Sequence, residues 1–111
     1  LDNNFFTGTL PTELGQLVSL TWLGLYTNYL EGSLPSELGQ LTASIQIDLE
    51  VNFFSGTLPT ELGQIVTLQF FYGDNNNFEG TIPTQLGKCT VLVDFYVPGN
   101  DFTGTLPTEL G

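Results

Sequence analysis

The chain repeats itself with a period of 24 residues, without a slip, along its 111 residues. An asparagine, a glycine, a proline and a second glycine each return at that interval. Such a period is typical of a protein that stacks one supersecondary unit on the next, because a single unit cannot bury its apolar face alone. The period therefore predicts one elongated domain with a continuous core. The recurring positions are Asn4, Asn28, Asn52, Asn76 and Asn100; Gly8, Gly32, Gly56, Gly80 and Gly104; Pro11, Pro35, Pro59, Pro83 and Pro107; and Gly15, Gly39, Gly63, Gly87 and Gly111.

Cutting the chain at the start of each expected strand gives three whole units and two partial ones. Neither partial unit carries a polar cap or a paired-cysteine flanking module, although stacked units need caps at their ends. We therefore expect residues 1–111 to form one repeat domain that is a piece of a longer solenoid. The units are 1–19 (partial), 20–43, 44–67, 68–91 and 92–111 (partial).

The first part of each unit has the pattern of a short strand with one buried face. Leu23 and Leu25 alternate with Gly24 and Tyr26, and a period of two is the signature of a half-buried strand. Stacked copies of that strand predict a parallel sheet. Asn28 follows where the chain must turn, and its amide can bond backbone groups that the turn leaves unpaired. Repetition of this residue predicts an asparagine ladder.

The second part of each unit has the pattern of a short helical segment. Pro35 suits the first turn of a helix, and Glu37 lies where the helix dipole favours an acid. Gly39 suits a left-handed stop at the end of the helix. Each unit is therefore expected to return from the sheet through such a segment.

Three residues break the repeat at core positions. Ser44 replaces the first leucine of its strand, and Gly73 replaces the second core leucine of the next strand. Both substitutions predict local under-packing, which neighbouring aromatic residues such as Phe71 can fill. Cys89 replaces the leucine after a helical segment, so we interpret it as a small buried hydrophobic residue, not a reactive thiol.

The consensus LxxLxLxxNxFxGxLPxxLGxL resembles the plant-specific type of leucine-rich repeat, and the resemblance covers the whole chain. That type occurs in receptor-kinase ectodomains, polygalacturonase-inhibiting proteins and algal relatives. The resemblance implies an α/β solenoid: a right-handed coil with a parallel β-sheet on the concave face and short helical or extended segments on the convex face. It also implies a non-catalytic protein-interaction or recognition module at the cell surface or outside the cell.

Composition excludes several functions. Twelve Asp and Glu stand against the single Lys88, and the net charge of −11 disfavours nucleic acid and anionic membrane surfaces. No apolar run reaches the roughly 20 residues of a membrane span, so direct membrane insertion of this segment is not expected. The chain has no histidine, which excludes Ser-His and Cys-His nucleophilic pairs within it. An open sheet offers no water-excluding cleft for paired carboxylates, so we expect no catalysis, no cofactor and no metal site.

Outward positions of successive strands should form columns on the concave face, because equivalent residues of neighbouring strands lie roughly 4.8 Å apart. Aromatic residues and acids are interleaved in these columns. Large aromatic residues in one patch are typical of interaction sites, and carboxylates suit a basic peptide or protein, whereas the rings also suit a glycan. The predicted binding residues are Trp22, Tyr26, Asp48, Glu50, Phe70, Tyr72, Asp74, Asp94 and Tyr96.

Two other interpretations remain open at this point. The chain could instead be a structural repeat subunit of an extracellular filament, coat or large complex, since monotonous acidic repeats with uncapped ends fit such a role. Two columns of Ser and Thr beside the recurring proline raise ice binding as a third hypothesis. Hydroxyl residues also suit the start of a helix, and that ordinary role explains these columns more simply.

Overall fold

The computed structural model describes residues 3–108, and these wind through successive coils. Residues 1–2 and 109–111, among them Gly111 of the recurring set, lie outside the described part. The described strands are β1 (Thr7–Gly8), β2 (Trp22–Gly24), β3 (Tyr29–Ser33), β4 (Gln46–Asp48), β5 (Phe53–Gly56), β6 (Phe70–Tyr72), β7 (Asn77–Gly80), β8 (Asp94–Tyr96) and β9 (Asp101–Phe102).

The strands form two parallel sheets that share the core. The concave sheet has the order β2-β4-β6-β8, and the second sheet has the order β1-β3-β5-β7-β9. The resemblance to leucine-rich repeats implied the concave sheet as well as extended segments on the opposite side. The structure confirms the solenoid and shows that those extended segments pair into a sheet of their own.

The two sheets have different registers. In the concave sheet Trp22 pairs with Gln46, 24 positions on, so the register follows the sequence period. In the second sheet Thr7 pairs with Tyr29, 22 positions on. Paired residues therefore coincide with sequence-equivalent residues only in the concave sheet.

The core lies between the sheets and is built from equivalent residues of successive coils. Ile47 and Phe71 of the concave sheet are completely buried, as are Phe54 and Phe78 of the second sheet. The rings of Phe54 and Phe78 lie nearly parallel with centroids 6.2 Å apart. Stacking of equivalent side chains thus removes from water the apolar face that one unit alone would expose.

Short 3₁₀ helices return the chain from the second sheet, and Pro35 lies immediately before one of them, at its N-cap. Gly39 is inside this helix, so the prediction of a left-handed stop was wrong. A Cβ atom on Gly39 would lie 2.4 Å from the carbonyl oxygen of Glu61 in the next helix. Glycine is required there because neighbouring helices approach backbone to backbone. The helices are Thr12–Gln16, Ser36–Gln40, Thr60–Gln64 and Thr84–Lys88.

The asparagine ladder is confirmed, and Asn52 shows how each rung works. Its Oδ1 accepts a hydrogen bond from the backbone N–H of Leu30 in the preceding coil at 3.0 Å. Its Nδ2 donates to the carbonyl oxygens of Leu25 at 2.9 Å and of Leu49 at 3.1 Å. One side chain therefore satisfies buried backbone groups of two coils, where no ladder bond of either sheet reaches them.

The three breaks in the repeat are accommodated within the core. Ser44 is completely buried, and its hydroxyl donates to the carbonyl oxygen of Leu20 at 2.8 Å. A Cβ atom on Gly73 would lie 3.0 Å from Cε1 of Phe71, so that ring occupies the space of the missing side chain, as predicted. Cys89 is buried, and this burial raises the pKa of its thiol. None of the helices in residues 3–108 has the length and apolar character of a bilayer-spanning segment.

Candidate recognition face

The concave sheet brings the predicted columns together in the expected register. Trp22, Gln46, Phe70 and Asp94 follow one another across the four strands, and Gly24, Asp48, Tyr72 and Tyr96 form the neighbouring column. Strands this short expose alternate side chains on one face because successive residues point to opposite sides. The two columns therefore lie side by side on a single surface.

Asp48 organises one end of this surface from a buried position. The residue is only 4% exposed, in contrast to the exposed acid expected from the sequence. Its Oδ2 accepts hydrogen bonds from the indole Nε1 of Trp22 at 2.6 Å and from Nε2 of Gln46 at 3.0 Å. Gly24 leaves room for the indole of Trp22, because a Cβ atom on Gly24 would lie only 3.4 Å from that ring. Asp48 thus holds Trp22 in one orientation, while the indole remains 54% exposed.

Phe70, Tyr72 and Asp94 form the middle of the surface. The rings of Phe70 and Tyr72 lie nearly parallel with centroids 6.4 Å apart. Burial raises the pKa of Tyr72, and the negative charge of Asp94, which accepts a hydrogen bond from the tyrosine hydroxyl, raises it further. Tyr72 is therefore a fixed, protonated hydroxyl at neutral pH. Tyr96, in the column of Tyr72, is 51% exposed at the far edge.

Glu50 and Asp74, both among the predicted binding residues, lie two residues beyond the ends of β4 and β6. Burial is the main cause that raises the pKa of Glu50, and the nearby charges of Asp48 and Asp74 raise it as well. A hydrogen bond from its own backbone N–H partly offsets these effects. Within the described residues, Oε2 of Glu50 is buried and has no hydrogen-bond partner. A buried acceptor without a donor is unfavourable, and the neighbouring negative charges of Asp48 and Asp74 add to that cost.

The surface thus has an exposed aromatic side chain at each end, Trp22 and Tyr96, and acidic and aromatic side chains between them. Tyr26 and Phe70 are partly buried, and Asp94, which pairs with Phe70, is exposed. Asp74 is also partly buried, and its Oδ2 accepts a hydrogen bond from Nδ2 of Asn75 at 2.7 Å. In residues 3–108, His, Cys, Asp and Glu side chains form no group of three that could hold a metal ion.

The sequence reasoning missed a second row of aromatic residues, Phe5, Tyr29 and Phe53, on the second sheet. The sequence does contain a signal for this row, because each of these aromatic residues directly follows a recurring asparagine and they therefore share the 24-residue interval. The sequence predicted only extended segments in this region, and unpaired segments give no reason to expect an ordered row of side chains. All three rings are exposed.

The Leucine Rich Repeat family matches residues 19–41, and no curated protein matches the chain significantly. Similar solved structures include the BIR3–SERK2 complex from Arabidopsis thaliana, 33% identical over 99% of this chain with a TM-score of 0.93. The plant peptide hormone receptor RGFR1 in complex with RGF2 is 29% identical over 98% of the chain, with a TM-score of 0.96. PEPR1–AtPEP1 is 35% identical over 99% of the chain, with a TM-score of 0.93. This chain spans 59%, 18% and 16%, respectively, of those three chains.

Proposed function

We propose that the concave face of this chain, a leucine-rich-repeat protein of the plant type, binds a peptide or protein segment that carries lysine or arginine. The observation that carries the proposal is the buried, unpartnered Oε2 of Glu50 between the charges of Asp48 and Asp74. A cationic side chain would supply the missing donor and neutralise the like charges at once.

Two exposed aromatic residues, Trp22 and Tyr96, extend the contact area beyond this cation site. Trp22 is exposed and held by Asp48, so it presents a large apolar surface without losing further side-chain freedom on binding. Tyr96 provides a second exposed ring at the opposite edge of the sheet. A bound segment that spans the four strands would contact both rings and place its basic residue near Glu50.

The net charge of −11 supports the same class of partner. A strongly acidic surface speeds the approach of basic ligands and slows that of acidic ones, and added salt weakens both effects. Binding is therefore expected to be fastest at low salt. A neutral segment of the same shape would lose the contribution from Glu50 and its neighbours.

The similar structures support a recognition role. RGFR1 is described in complex with RGF2 as a plant peptide hormone receptor, and PEPR1 is paired with AtPEP1. We propose that this chain likewise acts in recognition without catalysis, at the cell surface or outside the cell. Because it spans a small part of those receptors, the chain would contribute one section of a longer binding surface.

The test is selection of a random-peptide display library on the purified chain, followed by affinity measurements on the enriched peptides. Lysine or arginine should be enriched at one position, and replacing it with glutamine should weaken binding. Glu50→Gln and Trp22→Ala should weaken binding of the selected peptide by about tenfold or more. Glu79→Gln, an exposed acid on the second sheet, is the matched control.

Two outcomes would contradict the proposal. Enrichment of peptides without a basic residue, or equal affinity of Glu50→Gln and Glu79→Gln, would remove the cation site. Loss of self-assembly in Trp22→Ala, with no peptide binding by the unmodified chain, would instead favour a structural repeat subunit. Sedimentation of each variant distinguishes that case.

A further inference from the structure

A row of exposed aromatic rings lies along the edge where the strands of the second sheet begin, away from the recognition face. Phe5, Tyr29 and Phe53 are 83%, 47% and 53% exposed, respectively. Their ring centroids are 6.0 and 6.2 Å apart, and neighbouring rings are tilted by only 15° and 12°. Single exposed rings need no explanation, but an ordered row across three coils is a contiguous patch of the kind that marks a binding surface.

The rings line an open groove of about 440 Å³ that runs beside the asparagine ladder. Thr27, Val51 and Asn75, which are equivalent residues of successive coils, line the same groove. Both Thr27 and Asn75 are exposed, so their polar groups reach solvent within the groove. The groove therefore combines ring surfaces with amide and hydroxyl groups.

The backbone supplies a second, independent indication that this groove has a role. Thr27 and Val51 have φ angles of 56° and 58°, in the left-handed region. A β-branched side chain is strained in that region, whereas Asn75 and Gly99 fill the equivalent position with residues that tolerate it. Strained residues that persist tend to cluster at functional sites. The strain at these two positions therefore supports a functional role for the groove.

The charge of the groove and of the whole chain limits the class of ligand that can bind there. None of the described residues that line the groove is charged, although the chain as a whole carries −11. An anion would be repelled by the chain, and a cation would bind more favourably on the acidic concave face. A purely apolar ligand would cover the exposed polar side chains of Thr27 and Asn75 and remove them from water.

We propose that this groove binds a neutral oligosaccharide. A neutral sugar has apolar C–H faces that can pack on Phe5, Tyr29 and Phe53, and hydroxyl groups that exchange hydrogen bonds with amides and hydroxyls. A linear chain of sugars would lie along the row and contact one ring after another. The site is separate from the concave face and does not depend on the function proposed for it.

The test is titration of the purified chain with cellohexaose, laminarihexaose and mannohexaose by calorimetry, with oligogalacturonate as the anionic comparison. At least one neutral probe should bind, and its affinity should change little with salt. Phe53→Ala and Tyr29→Ala should each weaken that binding by about tenfold or more, whereas Tyr29→Phe should retain most of it. Val93→Ala shortens an apolar side chain elsewhere that is even more exposed, at 71%, and should bind like the unmodified chain.

Because about half of each altered residue is exposed, the variants should melt close to the unmodified chain. Failure of all three neutral probes to bind would overturn the proposal, and so would unchanged affinity in both alanine variants. Binding of oligogalacturonate alone would also overturn it. Finally, a dimer that dissociates in Phe53→Ala, in a chain that binds no sugar, would assign the row to self-association instead.

Discussion

Replacement of Asn52 by leucine is the sharpest test of what holds the coils together. Leucine has nearly the same shape as asparagine, so the change removes the amide without opening a large cavity. Asn52 is only 6% exposed and lies in the interior of the ladder. The expected loss of stability therefore comes from hydrogen bonds and not from packing.

The magnitude follows from which groups lose their partners. The N–H of Leu30 loses its acceptor, whereas Leu25 O keeps a bond from Asn28 and Leu49 O keeps one from Asn76. One orphaned buried donor and two weakened carbonyls amount to about 3 kcal/mol. For a domain of this size, about 4–8 °C of melting temperature corresponds to each kcal/mol, so a drop of about 12–24 °C is expected.

Thermal melting followed by circular dichroism measures this difference, and Asn77→Leu is the matched control. Asn77 is exposed on β7 and lies outside the ladder, so its replacement should leave the melting temperature within about 2 °C. Equal melting temperatures of the two variants would refute the argument that the ladder satisfies buried backbone groups.

Three further changes test other parts of the fold. Gly39→Ala places a Cβ atom 2.4 Å from the carbonyl oxygen of Glu61 and should destabilise the chain in urea by at least about 1–3 kcal/mol, more than Gly24→Ala, whose Cβ meets only a side chain at 3.4 Å. Val51→Asn relieves a β-branched residue at φ 58° and should stabilise the chain by about 1 kcal/mol in the same assay; a loss would contradict the strain. The pKa of Glu50 is raised above 4.5, so the folded chain holds this proton more tightly than the unfolded chain, and stability falls as pH rises from 4.5 through the raised value. Glu50→Gln should therefore melt higher than the unmodified chain at neutral pH and lose that advantage below pH 4.5; a constant difference would contradict the shift.

The sequence predicts the concave sheet well because its register equals the sequence period. Residues 24 positions apart, such as Gln46 and Phe70, are also hydrogen-bonded neighbours. Columns read from the sequence are therefore columns in space. The asparagine ladder was predictable for the same reason, since one residue type at one position in each coil must meet the same environment.

The second sheet was less predictable because its pairing departs from the period. Tyr29 pairs with Thr7, although the sequence-equivalent residue is Phe5. The ring centroids of Phe5 and Tyr29 are nevertheless only 6.0 Å apart, compared with 5.2 Å for the ring centroids of Phe71 and Phe95 in the concave sheet. The 24-residue interval therefore still relates these rings, whereas the shifted hydrogen-bond register of the second sheet does not follow from the sequence period.

Burial of Asp48 was also beyond the sequence pattern. It depends on three residues in two columns: Gly24 leaves space, Trp22 lies across it, and the carboxylate accepts the indole N–H. Alternation along a strand shows toward which face of the sheet a side chain points, but it does not show which neighbouring side chain then covers it. A repeat pattern therefore specifies candidate surfaces, while the exposed part of each surface depends on the particular residues of adjacent coils.

The two proposed surfaces should respond differently to salt because their charges differ. The concave face would bind through Glu50 and neighbouring acids, so its affinity for a basic peptide should fall as salt rises. The groove along Tyr29 and Phe53 has no charged side chain among its described lining residues, so sugar binding there should stay nearly constant. A salt titration of each ligand, with Phe53→Ala expected to retain peptide binding, thus separates the surfaces. If both affinities fell in parallel, the two ligands would share one acidic site.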